Sequence, residues 1–266
     1  TEFSNNAFYD IYNDTTALIK AENNLWGTAN LLEIDHRIYD DDENPMKGLV
    51  DFMPLARFTP PLVPTMTPTR TPRPGSFLKP TPTPTAVEVT EVSGVIDEPA
   101  VWSGNILLTG DVQIVNGNIL EIEAGSVIRF ARQEPKIKLE AQNGTIRAMG
   151  TRNEPIIFVP ENSQHGDPLS DEFISPYAGI VMSGPGLDWS VFRYCEFRYA
   201  SVGLELWDNS PGIEHCIFAS NRTAVEAITT GDYPGVVASP RIRWCVFDFN
   251  QVSLRFSGSP GISTSF

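Results

Sequence analysis

Three cysteines mark a repeat that constrains the fold of this chain more than any other feature. Cys195, Cys216 and Cys245 each stand two residues before a phenylalanine, and they are 21 and 29 residues apart. Residues i and i+2 of a β-strand share one face, so each Cys-x-Phe unit predicts a buried strand. A period near 21 residues is too short for helix-pair repeats. The predicted inward-facing ladders contain Cys195, Cys216, Cys245, Phe197, Phe218 and Phe247.

Segments outside these three units extend the pattern in both directions. Residues 118–130 read NILEIEAGSVIRF, residues 155–158 read PIIF, and residues 21–27 read AENNLWG. The first two resemble opening coils, and the third resembles the closing motif, of the right-handed parallel β-helices found in secreted bacterial proteins, the pectate-lyase-like solenoids. The resemblance implies an all-β, right-handed parallel β-helix. It implies no particular activity, because this fold hosts many functions.

The order of these segments is inverted, since the closing motif comes first in the chain. Three regions follow from this order: residues 1–55 as terminal coils and cap (the closing segment), residues 56–90 as a linker, and residues 91–266 as the main β-helix (the body). Roughly three repeats are needed before stacking supports itself, and the closing segment holds about two. We therefore expect it to fold only on another coil.

The two ends of the chain together complete one further copy of the repeat. Residues 259–262 read SPGI, as do residues 210–213, and the alignment across the ends places Phe3 opposite Phe247 and Asn6 opposite Asn250. The split coil can be completed by the same chain, by another chain or within a tandem polypeptide. The predicted junction contains Ile262, Phe266, Thr1, Phe3, Asn6, Phe8 and Ile11.

The linker differs in composition from the rest of the chain. It is rich in Thr-Pro pairs, and proline fixes φ and removes backbone donors, so the sequence predicts an extended polyproline II spacer. Thr-Pro tracts are typical of extracellular linkers and are often O-glycosylated. The candidate glycosylation sites are Thr65, Thr67, Thr69, Thr81 and Thr83, with the sequon asparagines Asn13 and Asn143. The sequon asparagine Asn221 is instead expected to stack with Asn250 and Asn6.

Charge narrows the classes of partner. The formal net charge is −14, which argues against nucleic acid and anionic membranes as partners. No apolar run approaches the length of a transmembrane helix. We interpret the chain as a secreted, extracellular or cell-surface protein, in mature form or excised from its precursor. Its main expected partner is another copy of itself, and the other expected class of partner is polysaccharide.

Candidate chemical sites in the sequence are few. Asp40, Asp42 and Asn44 present oxygen ligands at alternate positions, which suits Ca²⁺, although a solvated acidic turn is the more ordinary interpretation. No other cofactor is indicated. Glu205 and Glu226 lie on successive coils, but we expect them at different positions within their repeats (different frames). We also expect no repeated pairing between these acids and arginines such as Arg255. The sequence therefore predicts no catalytic centre.

The split coil leads to the functional hypothesis. Open strand edges recruit further strands, and head-to-tail docking that does not close generates a filament. We expect a structural subunit of an extracellular filament in which the closing segment of one copy completes the body of the next. The alternatives are a monomeric secreted β-helix that binds or cleaves polysaccharide, and a cell-surface adhesin or stalk module.

Overall fold

The protein is a parallel β-helix. The computed structural model describes residues 1–56, 88–161, 177–184 and 189–258, and the backbone of Thr264–Ser265. Within these ranges nearly every strand pair is parallel and joins residues about one coil apart, as the repeat requires. The predicted all-β solenoid is therefore confirmed. Residues 57–87 of the predicted linker, including the five threonines proposed as glycosylation sites, lie outside the described residues. Its last residues, Val89 and Thr90, already belong to a strand of the body.

Short strands separated by tight turns form every coil. The closing segment contains β1 (Glu2–Ser4), β2 (Tyr9–Asp14), β3 (Ile19–Lys20), helix α1 (Leu31–Asp35), β4 (Ile38–Tyr39) and β5 (Val50–Asp51). The opening half of the body contains β6 (Val89–Ile96), β7 (Ala100–Trp102), β8 (Asn105–Ile114), β9 (Ile119–Ile122), β10 (Val127–Phe130), β11 (Lys138–Gln142), β12 (Thr145–Met149) and β13 (Ile156–Pro160). Its other strands are β14 (Tyr177–Ser183), β15 (Val191–Arg193), β16 (Cys195–Arg198), β17 (Ala200–Trp207), β18 (Gly212–Glu214), β19 (Ile217–Ala219), β20 (Thr223–Thr229), β21 (Arg241–Arg243), β22 (Val246–Asp248), β23 (Val252–Gly258) and β24 (Thr264–Ser265).

Two sheets run along the solenoid in the described part of the chain. The larger follows the order β1-β22-β19-β16-β13-β10-β8-β11-β14-β17-β20-β23-β2-β4, with β6 beside β8. The second follows β21-β18-β15-β12-β9-β7, and a short sheet β24-β3-β5 lies at the closing end. β1 and β2, from the beginning of the chain, thus continue strands from its last coils.

The core consists of side chains stacked in register from coil to coil. Cys195, Cys216 and Cys245 are fully buried as free thiols, and each Sγ donates to backbone carbonyls, such as that of Phe192 at 3.4 Å from Cys216. Burial raises the pKa of Cys216 and Cys245 well above the ordinary thiol value. These thiols therefore stay protonated and act as small apolar core residues.

The closing segment lies on the body of its own chain. β1 pairs with β22, β2 pairs with β23, and β3 pairs with the two-residue strand β24. The coil that the sequence divides between the two ends is thus formed within one chain. Ile262 and Phe266, which the sequence placed at this junction, lie outside the described residues.

Candidate functional site at the closing-segment junction

An aromatic ladder crosses from the body into the closing segment. Phe3 stacks on Phe247 with ring centroids 5.4 Å apart, and Trp26 stacks on the other face of Phe3 at 4.8 Å. Phe3 is 0% exposed and Trp26 is 1% exposed, so both rings belong to the core. The ladder begins further back in the body, with centroid separations of 4.6 to 5.0 Å through Phe158, Phe197, Phe218 and Phe247.

An asparagine ladder crosses the junction beside the rings. Asn221 Nδ2 donates to Asn250 Oδ1 at 3.0 Å, and the Asn250 backbone N–H donates to Asn6 Oδ1 at 3.0 Å. Asn221 and Asn250 are fully buried, so each unpaired amide would carry a desolvation cost. Asn6 supplies the acceptor that Asn250 needs, and this specifies the axial position of the closing segment.

Backbone pairing continues across the same boundary. Phe3 lies opposite Phe247, the alignment that the repeat predicted. Glu2 N–H donates to Cys245 O at 3.0 Å, and Ala7 N–H donates to Asn250 O at 2.8 Å. A shift by one residue would reverse every inward side chain of the closing segment. The junction therefore accepts a single register.

The predicted junction residues occupy different environments. Ile11 is fully buried and lies opposite Leu254, while the backbone carbonyl of Thr1 accepts from Leu25 N–H within the closing segment. Phe8 is 51% exposed and lies outside the ladder. Phe8 lies in the turn between β1 and β2 that also carries Asn6, so its side chain is not part of either strand.

A buried ion pair follows the asparagine ladder. Asp10 is 0% exposed, and its carboxylate lies 3.0 Å from Arg37 Nη2 and accepts from Asn6 Nδ2 at 2.8 Å. Burial raises the pKa of Asp10 to about 6, although Arg37 and then Asn6 act in the opposite direction. No sequence pattern indicated this pair, because Asp10 and Arg37 lie far apart in the chain.

We expect acid to strengthen the docking of the closing segment. The folded-state pKa of Asp10 is above its ordinary value of 3.8, so the docked segment takes up a proton between about pH 7 and pH 4. Docking should gain about 2–3 kcal/mol over this window and lose it as the pH rises through 6. Urea unfolding of the wild type and of Asp10→Asn at several pH values measures the effect. The variant should lack this component, and parallel pH profiles for the two proteins would contradict it.

The outer face of the large sheet carries an aligned polar row, contrary to the sequence expectation. Glu205 lies opposite Glu226, and Glu226 lies opposite Arg255. The Arg255 Nη1 atom is 3.8 Å from Glu226 Oε1. Burial raises the pKa of Glu226, Arg255 lowers it, and Glu205 raises it further. The prediction that Glu205 and Glu226 occupy different positions in successive coils was therefore wrong. The extra residues of the 29-residue repeat lie between β20 and β21, so they leave β20 and β23 in register.

The row continues into the closing segment as a tyrosine cluster. Arg255 lies opposite Tyr12, with the guanidinium carbon 5.3 Å from the ring centroid, and Tyr12 lies opposite Tyr39. The Tyr12 and Tyr39 rings stack at 4.4 Å, and Tyr9 packs edge-on against Tyr39 at 5.8 Å. At the other end, Trp207 Nε1 donates to Glu205 Oε1 at 2.7 Å. We call Glu205, Glu226, Arg255, Tyr12, Tyr39, Tyr9 and Trp207 the outer row.

The acidic turn proposed as a calcium site makes hydrogen bonds within the cap. Asp40 is 6% exposed, and its carboxylate accepts from the Val50 N–H at 2.7 Å and the Asp42 N–H at 3.2 Å. Asn44 Oδ1 accepts from the Met46 N–H. No group of three or more His, Cys, Asp or Glu side chains among the described residues is arranged to hold a metal ion. Calcium binding by this turn stays a prediction.

One proposed glycosylation site is wrong. Asn13 is fully buried, and its Nδ2 donates to Ala17 O at 2.9 Å and to Gly48 O at 2.6 Å. An amide used in this way inside the cap cannot carry a glycan in the folded protein. Asn143 is exposed, in a turn with φ of 54°, and glycosylation there stays a prediction.

Comparison with known proteins identifies no family for this chain. Searches against protein-family models, curated proteins and solved structures found no match to this chain. Among the described residues, no helix is long and apolar enough to span a membrane. The fold and the junction together define the class: a parallel β-helix completed by a closing segment that precedes the body in sequence.

Proposed function

We propose that this protein is a structural subunit of an extracellular head-to-tail filament. In that assembly the closing segment of one copy completes the body of the next, through the junction described above. The single observation that carries the proposal is the uninterrupted register from β22 into β1, with one ring ladder and one amide ladder crossing it.

The closing segment depends on a partner surface. Its own strand pairs are β2 with β4 and β3 with β5, and each joins two residues. Its longest pairing is with β23 of the body, which places five residues of β2 in register, and β1 pairs with β22. A segment with so little internal pairing gains most of its stability from the coil on which it docks. The same contacts form whether the body belongs to its own chain or to another.

The linker supports exchange between copies. Closure within one chain requires it to return along about eight rungs, or roughly 40 Å. Its roughly 30 residues would extend to about 95 Å as polyproline II, and a stiff tether loses effective concentration when its length exceeds the span. A proline-rich linker therefore favours self-closure less than a flexible linker of equal length.

Electron microscopy and light scattering over a range of concentrations test the proposal. We expect filaments, or a ladder of oligomers, whose mass increases with protein concentration. Phe3→Ala should weaken this assembly, and Phe8→Ala, which removes an exposed ring, should leave it intact. Uniform single particles of one chain at every concentration, with the closing segment docked, would overturn the proposal.

A further inference from the structure

The outer row crosses the junction, so its two halves belong to different regions of the chain. Glu205, Glu226 and Arg255 lie on β17, β20 and β23 of the body, whereas Tyr12 and Tyr39 lie on β2 and β4 of the closing segment. From Glu205 to Tyr39 the row covers five rungs, and the four spacings between them amount to roughly 19 Å. It exists as a continuous surface only when the closing segment is docked.

The row combines groups that suit a sugar ring. Trp207, which is 37% exposed, lies at one end, and the outer ring face of Tyr39 lies at the other. Aromatic faces pack on the apolar faces of sugar rings, while the indole N–H of Trp207 stays bonded to the Glu205 carboxylate. Between the two ends, the carboxylates of Glu205 and Glu226 can accept hydrogen bonds from hydroxyl groups.

The charge of the row selects among glycans. Within the row Glu226 faces Arg255, and beside it Asp14 pairs with Lys47. Among the described residues, the hydrogen-bond partner of the Glu205 carboxylate is the neutral indole N–H of Trp207. The local balance is therefore one negative charge, within a chain of net charge −14. This negative charge would repel an acidic polysaccharide. It would not repel a neutral polysaccharide, whose hydroxyl groups can donate to the carboxylates of the row.

One polar atom in the middle of the row lacks a partner. Arg255 Nε is buried and makes no hydrogen bond within the described part of the chain. Its guanidinium is held between the Tyr12 ring and the Glu226 carboxylate, so it is fixed in position. The Arg255 side chain is 39% exposed, so the solvent-facing N–H groups of its guanidinium can donate to a hydroxyl oxygen of a ligand.

We propose that the outer row is a binding site for a neutral glycan lying along the solenoid axis, and that the site is completed by docking of the closing segment. In a filament, each such site would be shared between two copies. Because the ligand contacts both halves, glycan binding and docking stabilise each other by the same factor. The inference rests on the docking itself, whichever chain supplies the closing segment, so its failure would leave the filament proposal standing.

Binding to an array of soluble neutral glycans, with polygalacturonate as the acidic counterpart, tests the ligand class. We expect binding to at least one neutral glycan and none to polygalacturonate. Tyr39→Ala should weaken binding about tenfold or more, and Tyr233→Ala, which removes an exposed tyrosine that is not part of the outer row, should have no effect. Absence of neutral-glycan binding, binding to the acidic polymer alone, or equal binding by Tyr39→Ala would overturn the proposal.

Hydrogen exchange tests whether the site spans the junction. With a saturating concentration of the neutral glycan identified above, amides of β2 should exchange more slowly than without it. Phe3→Ala, which changes a buried ring outside the outer row, should lower glycan affinity because it weakens docking. Unchanged exchange in β2, together with unchanged affinity in Phe3→Ala, would show that the body binds the glycan alone and would contradict the composite site.

Discussion

Deleting residues 60–80 should prevent closure within one chain, so that the protein forms head-to-tail polymers only. Between residues 56 and 88, ten residues would remain. These extend to roughly 35 Å, which is less than the ~40 Å return path along the body. The closing segment could then dock only on another copy. Light scattering should show a mass that increases with concentration, and electron microscopy should show filaments.

A length-matched control separates the effect of linker span from that of linker sequence. Replacing residues 60–80 with the same number of Gly and Ser residues keeps the span and adds flexibility, so this variant should favour closure within one chain. If the deletion variant stayed monomeric, hydrogen exchange in β1 and β2 would give the reason. Unprotected strands would show that docking between chains is too weak to build a filament, and protected strands would refute the span argument.

Phe3→Ala should release the closing segment from the body. Phe3 fills the gap between Phe247 and Trp26 in the aromatic ladder, and it is fully buried. Removing a buried phenylalanine ring costs about 3–5 kcal/mol, because apolar contacts are lost and a cavity remains. That loss is comparable to the whole stability of a small segment. Hydrogen exchange should show β1 and β2 unprotected, with β16 to β20 unchanged.

Phe8→Ala is the matched control for this effect. Phe8 lies in the same segment, but about half of its surface is exposed, so its removal should change docking by less than about 1 kcal/mol. Equal loss of protection in the two variants would show that the ladder does not hold the segment. Loss of protection throughout the body in Phe3→Ala would show that body and segment unfold as one unit.

The repeat made the coil-to-coil alignment predictable. Cys-x-Phe units and the asparagines that follow them are local patterns, and stacking transfers each pattern from one coil to the next. That is why the alignment of Phe3 with Phe247, and of Asn6 with Asn250, could be inferred from the sequence and matches the structure. The all-β class followed from the same spacing.

Features that depend on contacts between distant segments could not be inferred in the same way. The Asn13 sequon is a local motif, but its burial is decided by Gly48 and the cap loop that folds over it. The Asp10–Arg37 pair joins two turns with no shared pattern. The Glu226–Arg255 alignment was obscured by the extra residues between β20 and β21, which lengthen the repeat without shifting the pairing of β20 with β23.

Disulfide trapping at the junction tests the central claim most directly. Ser4 lies opposite Asp248, and adjacent strands are about 4.8 Å apart, which is within the Cα range of a disulfide. Ser4→Cys with Asp248→Cys should cross-link readily under mild oxidation, whereas Ser4→Cys with Ala219→Cys, two rungs apart, should not. Gel mobility then reports whether each bond lies within one chain or between chains. No cross-link at Asp248, or equal cross-linking at Ala219, would contradict the register on which this account depends.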